Sequence, residues 1–148
     1  MKRSPIAFIV GLLAVMTEPL EGAQLSTTAE ETIAAVLIGE AGGEGRTAMQ
    51  GVMETINNRA RGLKREWLAE ALKPGQYSVL NGTTARQLID TAKTHRRWQL
   101  ALTIIRYFVD KQVVRGAKYF HSPMPKPPYW AKGKPVVAKI GKLTFYKF

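Results

Sequence analysis

Residues 28–44 read TAEETIAAVLIGEAGGE, and the rest of the fold is laid out around them. Thr28 and Glu31 make a capping-box pair ahead of an apolar run, so a helix is expected to start there. Ile33, Val36, Leu37 and Glu40 recur three or four residues apart and so share one helical face. Gly42 and Gly43 are expected to end the helix. Glu40 thus stands where packing would normally take another apolar side chain. A carboxyl group there is partly desolvated, which favours its neutral form and raises its pKa. A general acid needs that property to be protonated near neutral pH. Gly42 and Gly43 beside it would let a bulky substrate approach the backbone. The competing reading is a helix-end glutamate turned back to water, and spacing does not separate the two.

Helical patterns continue on the C-terminal side. A second helix is expected from about Arg46 to Ala60, with Met49, Val52, Met53 and Ile56 on one face and Gly62 beyond its end. A short third helix around Trp67, Leu68, Ala71 and Leu72 stops at Pro74-Gly75. Asn81-Gly82 marks a turn, and Thr84 with Gln87 caps the next helical region. That region, broken near His95, is expected to run through Trp98, Leu102, Ile105, Phe108 and Val109 to Gly116. The last third changes character. Lys118 to His121 reads as a short strand, a loop with Pro123, Pro125, Pro127 and Pro128 follows, and Val136–Ile140 with Leu143–Phe148 flank Gly141-Lys142 as a β-hairpin. The expected fold is one mainly helical α+β domain, residues 24–148, with a small C-terminal antiparallel sheet.

Before it, Lys2 and Arg3 precede an apolar run from Ile6 to Met16 that Glu18 and Pro19 end. That run is about half of the ~20 residues a membrane-spanning helix needs, so residues 1–23 read as an export signal, with an uncleaved membrane anchor as the alternative. The chain has 148 residues, no cysteine and a net charge of +11. Residues 24–70 are slightly acidic, while beyond them fifteen basic residues face only Asp90 and Asp110. Such a basic half suits a polyanionic partner: a cell-wall polymer, nucleic acid or an anionic membrane face.

Other chemistry is sparse. His95 and His121 are the two histidines, too few for a multi-histidine zinc site, and no thiolate site is available. No phosphate-binding glycine loop and no serine nucleophile elbow is present, so no metal and no cofactor is expected. Tyr119, Phe120, Tyr129 and Trp130 would either form a platform for sugar rings or pack the small sheet. Glu44 would bond a backbone donor at the start of the second helix. Glycosidases usually use two carboxylates at a set separation, and acidic residues are scarce here, so one carboxylic acid fits better than a pair.

Taken in order, several segments resemble the cell-wall hydrolase family typified by the spore-cortex-lytic enzymes, with a SleB/CwlJ-like catalytic domain. They are Ile38-Gly-Glu-Ala-Gly-Gly-Glu44, Gly51 to Arg59 with its Asn-Arg ending, Gln76-Tyr77-Ser78, Ala117 to His121, Trp130, and Ile140-Gly141 with Phe145-Tyr146. The resemblance implies a lysozyme-like domain that cleaves peptidoglycan between N-acetylmuramic acid and N-acetylglucosamine, with Glu40 as catalytic acid and base of a lytic transglycosylase. It implies Glu44, Gln76, Tyr77, Ser78, Tyr119, His121 and Trp130 as substrate-binding candidates. Leu143 departs from the pattern, since many relatives carry a histidine there. The expected partner is the glycan strand rather than nucleic acid. The protein would act as an exported monomer in the periplasm, cell wall or spore cortex, with transient membrane association through its N-terminal segment. Two alternatives stay open: a water-using muramidase, and a non-catalytic basic module for nucleic acid or anionic membrane.

Overall fold

The computed structural model describes residues 25–148; the expected export segment lies outside them. The first helix, α1 (Thr27–Ala41), starts two residues earlier than the Thr28–Glu31 pairing predicts. Ser26 is its cap, accepting a bond from the Ala29 N–H at 3.1 Å. Glu30 and Glu31 are thereby free to reach sideways, to Arg106 at 2.7 Å and Lys93 at 3.0 Å. From Thr32 to Ile38 every residue is buried, so α1 is a central helix covered all round rather than one with a single apolar face. Only at Gly39 and Glu40 does it come back to the surface.

Helix α2 (Arg46–Arg59) lays Ala48, Met49, Val52, Met53 and Ile56 into the core. At Gly51 it approaches the 107–118 segment and the sheet so closely that a Cβ would stand 2.9 Å from Val114 and 3.0 Å from Phe145. The short α3 (Trp67–Ala71) is anchored by the Trp67 indole N–H, which donates to Asn57 at 3.0 Å. The capping box at Thr84 and Gln87 forms as expected and opens α4 (Ala85–Ala92). The break near His95 also forms: its Nδ1 accepts the Arg97 N–H at 3.0 Å before α5 (Trp98–Arg106) begins.

The expected continuation of α5 to Gly116 is corrected. The helix ends at Arg106, and residues 107–118 run without helix or strand along α2. Polar side chains one turn apart on α2 hold them there. Gln50 donates to the Val109 carbonyl at 2.8 Å, and the Asn58 amide donates to the Ala117 carbonyl at 2.9 Å. Between them the fully buried Glu54 accepts from the N–H groups of Lys111 at 2.8 Å and Val114 at 3.2 Å, and from Gln50 at 2.9 Å. These bonds meet the loop's backbone polar groups from outside, so the loop has no need of a helical ladder.

The sheet has three antiparallel strands in the order β1-β3-β2: β1 (Tyr119–His121), β2 (Val136–Ile140) and β3 (Leu143–Tyr146). Phe120 lies opposite Phe145 and His121 opposite Thr144. The predicted hairpin forms, with Gly141 in its turn at φ 56°. Phe145 and Leu143 go into the core, so the side chain at Leu143 is a packing group here. By alternation Tyr119, His121 and Tyr146 face the other way. There they meet Trp130, at ring distances of 5.7, 6.0 and 5.4 Å respectively.

Candidate active site

Where α1 surfaces, Glu40 meets the segment that follows Pro74-Gly75. Gly75 takes φ 73°, turning the chain, and the buried Tyr77 ring anchors what comes next against Phe120, 6.0 Å away. A single 3₁₀ turn over Ser78–Leu80 then presents two donors to one oxygen. The Ser78 hydroxyl and the Val79 N–H both donate to Glu40 Oε1, each at 3.2 Å. Val79 reaches this position because α1 has no side chain at Gly39.

Burial raises the pKa of the Glu40 carboxyl, and the bonds from Val79 and Ser78 pull it down by less. With both donors on Oε1, Oε2 is the oxygen left to carry a proton. The side chain opens into a cavity of about 370 Å³ lined also by Gln76, Ser78, Asn81, His121, Met124 and Trp130. A second cavity of about 340 Å³ adjoins it and contains Arg59, Tyr77, Lys118, Tyr119 and Phe148. The two share Gly75, Gln76, Phe120 and Trp130, so they form one groove with Glu40 in one half.

His121 is fixed in one tautomer by its neighbours. Its Nδ1 lies 2.8 Å from the Ser122 carbonyl, which can only accept, so the ring proton of the neutral form is on Nδ1. Nε2 then accepts the Tyr146 hydroxyl at 2.8 Å.

Of the residues singled out in the sequence, Glu40, Gln76, Ser78, His121 and Trp130 meet in the first cavity, and Tyr77 and Tyr119 line the second. Glu44 is elsewhere. Its Oε2 accepts the Lys142 N–H at 3.0 Å and packs against Gly141, so it braces the β2–β3 turn instead of the start of α2. Of the aromatic residues near the proline-rich loop, Tyr129 is 92% exposed and outside the groove, whereas Phe120 packs on Phe145 at 5.5 Å. Sequence reading assigned no site role to Arg59, Lys118, Asn81 or Phe148. Arg59 and Lys118 carried a signal, as the end of the Asn-Arg motif and as part of the Ala117–His121 segment. Among the described residues no three His, Asp or Glu side chains gather as a metal-binding cluster.

Comparison with known proteins agrees with this architecture. A family model described as Cell Wall Hydrolase matches residues 43–146. It begins three residues after Glu40, so the place of Glu40 in the site stands on the geometry above. The catalytic domain of the germination-specific lytic transglycosylase SleB from Bacillus anthracis superposes with a TM-score of 0.64 at 21% identity, over 83% of this chain and 97% of that one. The catalytic domain of the Bacillus cereus SleB protein gives a TM-score of 0.61 at 19% identity, over 84% and 93%. No curated protein matches by sequence. The mainly helical α+β fold expected from the sequence is therefore a known one.

Proposed function

Since the chain belongs to the cell wall hydrolase family, we propose that it cuts peptidoglycan glycan strands between N-acetylmuramic acid and N-acetylglucosamine, as a lytic transglycosylase with Glu40 as acid and base. One observation carries the mechanism: among the described residues lining the two joined cavities, Glu40 is the sole carboxyl group. A paired-carboxylate mechanism has no second member there. Glu44 is held by the hairpin turn, Glu54 is sealed under the 107–118 loop, and Glu70 is paired with Arg59 and Lys73.

The neutral Glu40 carboxyl donates its Oε2 proton to the glycosidic oxygen as the bond to C1 of the muramic acid breaks. The leaving N-acetylglucosamine keeps that proton as its 4-hydroxyl. The carboxylate left behind is stabilised by the Ser78 hydroxyl and the Val79 N–H, which already point at it and need no rearrangement. It then takes the proton of the muramic acid 6-hydroxyl while that oxygen bonds to C1, closing a 1,6-anhydro ring. Glu40 ends protonated, as it began, and no water is consumed.

The workplace is the cell wall, which requires export; residues 1–23 are proposed as the export signal. Among the described residues no helix is long and apolar enough to cross a membrane. The test is to digest peptidoglycan sacculi with the protein and with its Glu40→Gln variant and identify the fragments by mass spectrometry. Anhydro-muramyl products from the parent alone are expected. Reducing-end products would replace the mechanism with hydrolysis, and intact sacculi from a folded parent would end the enzyme reading.

A further inference from the structure

The half of the groove away from Glu40 holds chemistry that bond cleavage leaves unused. Tyr77 is 2% exposed, and its hydroxyl is the one buried side-chain polar atom among the described residues without a hydrogen-bond partner. Buried polar atoms are almost always partnered, so this hydroxyl is set to bond an acceptor, a water or a ligand atom, brought to it from the cavity that Tyr77 lines. Burial also pushes the pKa of this phenol up, which keeps it an O–H donor throughout the physiological range.

The rest of the lining agrees in sign. Arg59 is locked in place: its Nε lies 3.3 Å from Glu70, its Nη1 donates to the Lys118 carbonyl at 3.2 Å, and its guanidinium sits 5.4 Å over the Tyr119 ring. Glu70 offsets part of the Arg59 charge and also bears on the Tyr77 hydroxyl, while Lys73 holds it as well at 2.8 Å. Lys118 lines the cavity too, and the Lys134 ammonium lies 4.8 Å over the ring of Phe148. No carboxylate lines this cavity. Fixed donors, excess positive charge and aromatic walls from Tyr119, Trp130 and Phe148 suit an acceptor-only anion attached to a sugar.

We propose that this cavity is a subsite for a carboxylate carried by the glycan strand beside the bond that Glu40 cuts, received by the Tyr77 hydroxyl and the Arg59 guanidinium. The proposal rests on the strand-cleavage reading above. Such a carboxylate has two sources: the lactyl group of a muramic acid that bears no peptide, and the stem peptide itself.

The test compares four strand preparations. Peptide-free strands are used with the lactyl carboxylate intact or converted to its amide. Peptide-bearing strands are used with their carboxylates intact or amidated. Binding is measured with the Glu40→Gln chain, which leaves the strands uncut, and KM and kcat with the parent. Amidation is expected to weaken binding about tenfold and to raise KM by a similar factor with kcat little changed, as loss of one charge-assisted contact predicts. Discrimination confined to the peptide-free pair assigns the lactyl group; confined to the peptide-bearing pair, it assigns the stem.

Tyr77→Phe is expected to show a similar loss on carboxylate strands and a smaller one on amidated ones, whose carbonyl accepts a weaker bond. An equal loss on both would overturn the part given to Tyr77. Equal binding of carboxylate and amide forms in both pairs would overturn the subsite, and that comparison holds even if Tyr77→Phe fails to fold. Discriminating binding by a parent that cuts no strand would keep the subsite and remove the cleavage reading.

Discussion

Gly39 and Val79 touch across the edge of the groove: a Cβ on Gly39 would stand 2.5 Å from Val79 Cγ1, closer than any real contact allows. The N–H of the same Val79 is one of the two donors to Glu40 Oε1. Packing and the proposed catalysis therefore meet in one residue. Gly39→Ala is expected to push Val79 outward and take its N–H off the carboxyl. Overpacking of this kind costs about 1–3 kcal/mol, and a misplaced catalytic contact about tenfold or more in rate. Thermal melting and sacculus turbidity assays read the two effects separately. Unchanged kcat would show that Val79 can give way without disturbing Glu40.

Glu40→Gln is expected to lower the rate at least about a hundredfold, the usual contribution of a positioned general acid. The same change has the opposite sign in stability. Folding raises the pKa of this carboxyl above its ordinary 4.5, so the protonated form stabilises the fold at low pH. That contribution is lost as pH rises through the raised value, above which a partly buried charge must be carried. The glutamine variant carries none. It should melt above the parent at pH 7, and the two should converge below pH 4.5. A variant that melts lower at pH 7 would contradict the assignment of burial as the dominant cause.

Ser78→Ala removes a donor that favours the ionised form of Glu40. The carboxyl pKa should rise further, so the alkaline limb of the kcat/KM profile should move to higher pH. The maximal rate should fall modestly, by about tenfold, because the carboxylate formed in the reaction loses one of its two stabilising bonds. A fall in rate with an unmoved limb would make Ser78 a substrate contact instead.

Glu54→Ala should destabilise the fold by about 3 kcal/mol, combining a core cavity with the loss of bonds to Lys111, Val114 and Gln50. Glu54→Gln should cost less, since it keeps the volume and one acceptor. Urea unfolding measures both, and amide exchange at Val114 should accelerate in the alanine variant while α1 stays protected. Uniform acceleration would mean that the 107–118 loop is not a separable unit.

These residues also show what a sequence can reveal. The glutamate at the helix end ahead of paired glycines, the Thr84–Gln87 box and the Gly141-Lys142 hairpin are local patterns, and each has its cause within a few residues. The start of α1 was displaced because three hydroxyl residues, Ser26, Thr27 and Thr28, stand in a row and any of them can cap; Glu31 went to Lys93 instead of closing a box. Phe108, Val109, Val113 and Val114 keep helical spacing, yet the backbone there bonds to Glu54, 57 and 60 residues away in sequence. Gln112 and Arg115 moreover take positive φ without being glycine. Phe148 enters the groove by stacking on Tyr119 at 4.3 Å, which no spacing announces. Contacts of that range become visible only once the chain is folded.

The strand order bears on when this protein becomes able to act. β3 is the last of the three strands to leave the ribosome, yet it is the one with which both others pair. It supplies Phe145 to the core and Tyr146 to His121. While β3 is still unmade, β1 has no partner and the aromatic wall opposite Glu40 is not assembled. A chain that has not yet gained β3 thus carries Glu40 without the groove around it, so the last residues made are the ones that complete the site.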